Sequence, residues 1–426
     1  MTKECKANLA RTSARHEQLA SKPFGFCYTV LREENSHQAR DELSDAIRTH
    51  FVNAKVNERS IPSRFFYDDA GTALYERITC TEDYYLTRCE REIFRKYCDR
   101  ILNIAVGLDE DAPIRSHSPN ERALHIIELG AGDGHKTAVL VQRALQRGLH
   151  ITYRPIDISE RAMTDCAERI LATLSDPENG HQRLEHSSVE AQFTFHGIVG
   201  DFFEGLGYAL RAPGRRLQNP VEDRLLANAG NAGYGAAPES AHEHARHLVM
   251  FIGSSIGNFD PTNAIAFCKQ VRSLLQPARD HFLVGFDLRK PYAIMHRAYS
   301  DREGITAEFN RNLLRRVNRE LGSNFNPAKF EHFAQYNVRL GAMESFLVAT
   351  EHMRIVFPNL AMDTTALPTG NEIAIELRPW EAIHTEYSWK YTLEDISALA
   401  QKAGFSRIAA NFFDSKNGFV DSIFAP

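Results

Sequence analysis

One feature constrains this chain more than any other: an alternation that starts at Leu124 and runs to Leu288. Short apolar runs, LHIIEL, TYRPID, FTFHGIVGDF, HLVMFIGSSIGNF and HFLVGFDL, are separated by helically spaced segments such as HKTAVLVQRALQR and FCKQVRSLLQ. Each crossover helix has to bury its apolar stripe, and the runs themselves are apolar on both sides. A mostly parallel sheet covered on both faces satisfies both demands. The predicted class is therefore α/β.

Outside this stretch the texture differs. Residues 1–36 read as a flexible N-terminal extension, and His37 to Val56 has helical spacing. An aromatic-rich segment follows, in which Gly71 is expected to mark a turn. After Leu288 come a long helical stretch, AEFNRNLLRRVNREL, and strand-like SFLVAT and MRIVF. The end returns to the first style. LEDISALAQKAGF reads as a helix with a Gly C-cap, and RIAANFF and FVDSIFAP as a strand pair around DSKNG. Residues 37–92 with 289–391 are expected to form an α+β substrate-binding domain. Residues 93–288 with 392–426 are expected to form the sheet domain. Three stretches read as insertions, DEDAPIRSHSPNE, DPENGHQRLEHSSVE and a Gly/Ala/Asn-rich mobile one within 203–246.

The first strand ends in Glu128-Leu-Gly130-Ala-Gly132-Asp-Gly134, before a helix. Glycines allow a tight turn and a close backbone approach to a nucleotide-like ligand. Asp157 ends the second strand, where a carboxylate can accept both ribose hydroxyls. Asp201 follows the third, where it can meet an adenine amino group. The turn reads ExGxGxG and contains no GK[ST] phosphate loop. That form is used by nucleoside methyltransferases, whereas dinucleotide enzymes mostly use GxGxxG. The cofactor expected is S-adenosyl-L-methionine, and the final hairpin suits a sheet whose seventh strand is antiparallel.

A net charge of −5 provides no field for nucleic acid or an anionic membrane, so a small-molecule partner is the default. No NPPY-type motif points to base flipping. Seven cysteines without a CxxC pair argue against a disulfide framework and a zinc site, and no metal is expected. No apolar run approaches the ~20 residues of a membrane span. The N-terminus lacks a signal peptide's apolar core. The expectation is a cytoplasmic monomer.

Amine methylation needs a neutral nitrogen, an anchored substrate and exclusion of water. Asn258 follows the fourth strand at the edge where ligands collect, as an anchor or as a turn-stabilising residue. Tyr84, Tyr85 and Tyr299 offer phenols or packing. Glu386 and Ser388 alternate on TEYSWK, as a pocket wall or a solvated face.

The segments IPSRFFYDDAGTALYERIT, EDYYLTRCEREI, IIELGAGDGHKT, GDFFEGL, VMFIGSSIGNF, DLRKPYAIMHRAYSDREGITAEFNRNLLRRVNREL and TEYSWKY cover most of the chain from about residue 60. They resemble the histidine-specific α-N-methyltransferases of ergothioneine biosynthesis, which make the betaine hercynine. The resemblance implies a Rossmann-like class I methyltransferase sheet with a second domain that closes over L-histidine. It implies cofactor positions at Tyr67, Gly130, Gly132, Lys136, Asp157, Asp201 and Phe202. It implies substrate positions at Tyr84, Asn258, Tyr299, Ser345, Glu386 and Ser388, with Tyr84 and Asn258 catalytic. Asn258 and Tyr299 would hold the amino and carboxylate groups, and Glu386 and Ser388 would face the imidazole. Two positions depart from the family's pattern: Ser345 where Met is common, and Leu86 where Pro is common. A same-fold enzyme for another amino acid and a silent cofactor-binding subunit are the competing readings.

Overall fold

The structure is a computed structural model. It describes residues 15–18, 26–31, 36–111, 123–175, 192–210, 245–358, 360 and 372–426. Residues 211–244 of the insertion expected within 203–246, and most of the other two insertions, lie outside the described residues.

The N-terminal half contains β1 (Arg15–Gln18), β2 (Cys27–Val30), α1 (Ser36–Ile47), α2 (Asp69–Cys80) and α3 (Leu86–Ala105). Then comes the predicted alternation: β3 (Ala123–Leu129), α4 (His135–Gln146), β4 (His150–Asp157), α5 (Glu160–Ser175), β5 (Phe193–Val199) and α6 (Phe202–Ala209). It continues with β6 (Arg246–Phe251), α7 (Pro261–Leu274) and β7 (His281–Asp287). Next are α8 (Tyr292–Tyr299), α9 (Ile305–Leu321), β8 (Phe330–Asn337), β9 (Ala342–Ala349), β10 (Met353–Phe357), β11 (Ile373–Leu377) and β12 (Ala382–Trp389). The chain closes with α10 (Leu393–Ala403), β13 (Arg407–Phe413) and β14 (Phe419–Ala425).

One sheet runs β1-β2-β5-β4-β3-β6-β7-β14-β13. From β2 to β7 neighbouring strands are parallel. The β13–β14 hairpin inserts β14 antiparallel against β7. The order reverses at β3, so the crevice of an open α/β sheet opens beside the glycine turn. A smaller layer holds the three-stranded sheet β12-β9-β8, packed on α8 and α9 with α2 against α9. It meets the large sheet at its C-terminal edge. There the turn after β6 lies so close to β12 that a Cβ on Gly257 would sit 2.9 Å from the Trp389 carbonyl oxygen.

Four expectations are corrected. Residues 26–31 are not a loose extension: β2 joins β5 in parallel, and Phe26, 2% exposed, stacks on Phe195 at 4.9 Å. Residues 203–209 belong to α6, and Leu206 and Ala209 are buried in the core under the sheet edge. Gly71 does not turn the chain. It lies in the first turn of α2, where Asp68 caps its N–H at 2.8 Å, and a Cβ there would lie 1.7 Å from the Phe66 carbonyl oxygen. The boundary expected at residue 92 falls inside α3, a continuous helix that packs on α4 and β14.

If β2 is part of the sheet, Phe26→Ala removes a buried ring and should cost about 3–5 kcal/mol of unfolding free energy. Denaturant titration checks this, and a variant within 0.5 kcal/mol of the parent would mean the strand does not dock.

Candidate active site

The glycine turn is built as a cradle. Gly130, Gly132 and Gly134 have φ of +71°, +53° and +67°, in the left-handed region that L side chains rarely adopt. At Gly134 a Cβ would lie 2.5 Å from Cys166 Sγ, so that glycine serves packing. At Gly132 nothing lies within 4 Å, so its backbone faces open space. Gly130 N–H donates to the Ile156 carbonyl at 2.8 Å, and Gly132 N–H donates to Asp157 Oδ2 at 3.3 Å. The turn and the end of β4 are thereby tied together. Behind them Glu128 is buried and accepts from Thr137 Oγ1 and Tyr153 Oη. Burial pushes its carboxyl up to about 7 against those bonds. It braces the turn and does not face a ligand.

Asp201 caps α6, its Oδ1 accepting from Phe203 and Glu204 N–H at 2.9 and 3.0 Å. The Phe202 ring comes 3.4 Å from where a Gly130 Cβ would be. Open backbone at Gly132, a carboxylate at Asp157 and a ring at Phe202 thus stand along one sheet edge, and this set fits an adenosine-bearing cofactor. Lys136 is different. Its ammonium pairs with Glu90 Oε2, and Glu90 Oε1 accepts from Gly253 N–H at 2.7 Å. Burial opposes that charge, but Glu90 outweighs it and the Lys136 pKa is raised. Lys136 therefore ties α3, α4 and the turn after β6 together rather than standing free for a ligand. The Asp421 carboxyl next to Glu90 is pushed well up, first by burial and then by Glu90's charge.

Beside this cradle lies a narrow cleft with about 60 Å³ of free space. Tyr67, Tyr84, Asn258, Tyr299, Glu386 and Ser388 all line it, although they span more than three hundred positions of sequence. Tyr67, expected at the cofactor, faces this cleft. Tyr85 does not: its hydroxyl donates to Asp287 Oδ2 at 2.8 Å. Asn258 ends a single 3-10 turn, Ser255–Asn258, preceded by Ser254 at φ +58°. Ser254 Oγ accepts from Asp287 N–H at 3.1 Å, which fixes the turn against β7.

One wall is aromatic. Tyr75 lies edge-on to Tyr67 (5.6 Å between centroids) and to Tyr84 (6.3 Å), and Phe309 lies 5.8 Å from Tyr67. Ring faces of this kind attract alkylated ammonium groups. The Tyr84 phenol is held well above its ordinary pKa, first by burial, then by Tyr75 and Tyr299. In the free protein it is a protonated hydroxyl that can donate into the cleft.

The opposite wall is polar. A bulge between His384 and Glu386 shifts the register of β12 on β9. As a result Thr385 turns to Asn310 Oδ1 (2.7 Å) while the next residue, Glu386, faces the cleft. Burial pushes the Glu386 carboxyl up to about 7, with Lys390 and Ser345 pulling the other way. Ser345 pairs with Glu386 across the sheet and is 1% exposed, so it lies beneath the pocket rather than on its surface. Lys390, absent from the sequence expectations, is wholly buried behind Tyr299 and Ser388. Burial opposes its charge, but Asp287 and Tyr299 prevail and its pKa is raised.

A model of a family described as histidine-specific, S-adenosylmethionine-dependent methyltransferases matches residues 43–426. The chain belongs to that family. Histidine N-alpha-methyltransferases of Mycolicibacterium smegmatis and Mycobacterium tuberculosis are each 29% identical to it. The matches cover 87% and 82% of this chain and 92% and 85% of theirs. Ergothioneine biosynthesis protein 1 of Schizosaccharomyces pombe is 25% identical over 84% of this chain and 38% of that longer protein. This methyltransferase uses S-adenosylmethionine, and no described helix is long and apolar enough to cross a membrane.

The raised Glu386 pKa means the folded free protein holds the neutral carboxyl better than the unfolded chain does. That contribution is present below about pH 4.5 and lost as pH rises through about 7. Glu386→Gln should therefore be more stable than the parent at pH 8, by on the order of 2–3 kcal/mol. The gap should close between pH 7 and 4.5. Denaturant unfolding at several pH values measures it, and a pH-independent difference would contradict the assignment.

Proposed function

We propose that this methyltransferase transfers three methyl groups to the α-amine of L-histidine, giving hercynine, the first step of ergothioneine biosynthesis. The observation that carries the reading is the convergence of Asn258, Tyr299, Ser388 and Glu386 on one cleft beside the glycine cradle. Asn258 and Tyr299 offer donors for an amino acid's polar end and Glu386 a carboxyl for its side chain; Ser388, expected beside the imidazole, is bonded to Tyr299 and Lys390 and sides with the polar end. The relatives named for histidine N-alpha-methylation support the choice of substrate.

Gly130, Gly132, Asp157, Asp201 and Phe202 would hold S-adenosylmethionine, with Lys136 bracing their support through Glu90. When bound, the cofactor supplies an electrophilic sulfonium methyl. The chain's own contribution is placement. Asn258 and Tyr84 hold the α-amine with its lone pair toward the cradle. The Tyr67, Tyr75, Tyr84 and Phe309 wall keeps out water that would reprotonate it. The amine's protons leave to solvent between transfers. The same ring faces favour the nitrogen as it becomes quaternary. Glu386, ionised at and above its raised pKa, accepts from an imidazole N–H and disfavours apolar side chains, which would leave the carboxylate unpaired. Residues 37–85 and 289–391 would act as the substrate domain, with the large sheet and α3 as the cofactor domain.

Purified protein with S-adenosylmethionine and each common amino acid, read by mass spectrometry, should add three methyls to histidine alone. Trimethylation of a different amino acid instead would reassign the Glu386 wall, and no transfer to any would favour a silent subunit. Asn258→Ala and Glu386→Ala should each raise the KM for histidine roughly 10- to 100-fold. Cofactor affinity by calorimetry should change less than about threefold, and equal loss of both affinities would refute the division of the site.

A further inference from the structure

Three polar groups behind the cleft form a closed triangle. Lys390 Nζ donates to Tyr299 Oη at 2.7 Å and to Ser388 Oγ at 2.9 Å, and the two hydroxyl oxygens are 2.7 Å apart. Lys390 Nζ also lies 2.8 Å from Asp287 Oδ2. An ammonium has three N–H donors and no acceptor. Asp287, Tyr299 and Ser388 account for all three, so both hydroxyl oxygens must accept from Lys390. Two hydroxyl protons remain, and the contact between Tyr299 and Ser388 uses one. Whichever of the two donates, a single O–H is left over. Both side chains line the cleft, so that proton is available only there.

The charge balance points the same way. Asp287 is shared by Lys390 and Lys290, and it also accepts from Tyr85. Asp287 thus offsets only one of the two ammoniums it holds, and the wholly buried Lys390 stands behind Tyr299 and Ser388. The Tyr299–Ser388 corner, which can only donate and has the Lys390 ammonium behind it, fits an anionic acceptor.

We propose that Lys390 is the positioning residue of a carboxylate subsite. By occupying the acceptor sides of Tyr299 and Ser388 it turns the pair into a fixed donor for the substrate's α-carboxylate. It thereby makes the enzyme select amino acids over the corresponding decarboxylated amines. This rests on the proposed amino-acid methylation, but it concerns the carboxylate end, and the imidazole reading at Glu386 can fail without it.

The test compares L-histidine with histamine, which keeps the imidazole and the amine and lacks the carboxylate. Kinetics are measured for the parent, Lys390→Met and Lys390→Leu. Either change leaves Asp287 paired with Lys290, so no buried charge is left uncompensated. The parent should prefer histidine. In both variants the KM for histidine should rise roughly 10- to 100-fold while that for histamine stays within about threefold, so that the preference collapses. Thermal unfolding and cofactor affinity identify the folded variants. The proposal is overturned if a folded variant keeps the parental preference, or if both substrates lose equally, which is what a merely structural lysine would cause. It is also overturned if the parent takes histamine as readily as histidine, an outcome that leaves the Glu386 reading standing. If the parent instead prefers another amino acid, the histidine reading fails. The proposal is then scored on that amino acid against its own decarboxylated amine.

Discussion

The site depends on how one buried carboxylate is neutralised. Asp287 ends β7 at the sheet edge and holds Lys390 from just after β12, Lys290 from the start of the smaller layer and Tyr85 from the N-terminal half. A buried carboxylate is costly unless paired, and each of its partners belongs to a different segment. The segments that build the cleft therefore cannot separate without exposing a charge deficit in the core. Burial would raise the Asp287 pKa, but Lys390 and Lys290 prevail and hold it below the ordinary carboxylate range. The Gly257 approach to β12 and the Ser254 bond to the Asp287 N–H make the same seam in backbone terms.

The seam also explains why two halves of the pocket differ so much. One wall is aromatic and comes from α2, the residues flanking it and α9. The other is polar and comes from β12, kept inward by a bulge. A free amino acid has an amine, a carboxylate and a side chain on one carbon, and it needs both characters within a few ångströms. The cost is visible in Glu386, whose ionisation burial opposes. In the proposed reading, a carboxyl kept where burial opposes its ionisation would select a side chain with an N–H to offer it.

The large sheet was legible because its signal is periodic. Apolar runs of strand length between helical segments leave few alternatives, and ExGxGxG falls where the strand order reverses. Asp157 was legible for the same reason, since it ends a run. Glu386 and Ser388 could be placed on one face by alternation, but only family resemblance brought them to Asn258, because their strand belongs to a layer with no regular pattern. The bulge at Thr385 leaves no mark in composition. Lys390, Asp287 and Glu90 were missed because a lone charged residue usually reads as surface, and their burial is decided by partners far away in sequence. Asp287 did carry a signal: it is the last residue of the fifth run, at the edge where ligands collect. Residues 26–31 were missed because a strand of four residues is too short to show a period.

The most direct test of the account is the structure of the protein crystallised with S-adenosylhomocysteine and L-histidine. The account predicts the imidazole against Glu386, the carboxylate on the Tyr299–Ser388 pair and the α-nitrogen at Asn258, pointing toward the glycine cradle. Histidine bound in reverse, with its carboxylate near Glu386 or its α-nitrogen turned from the cradle, would contradict it.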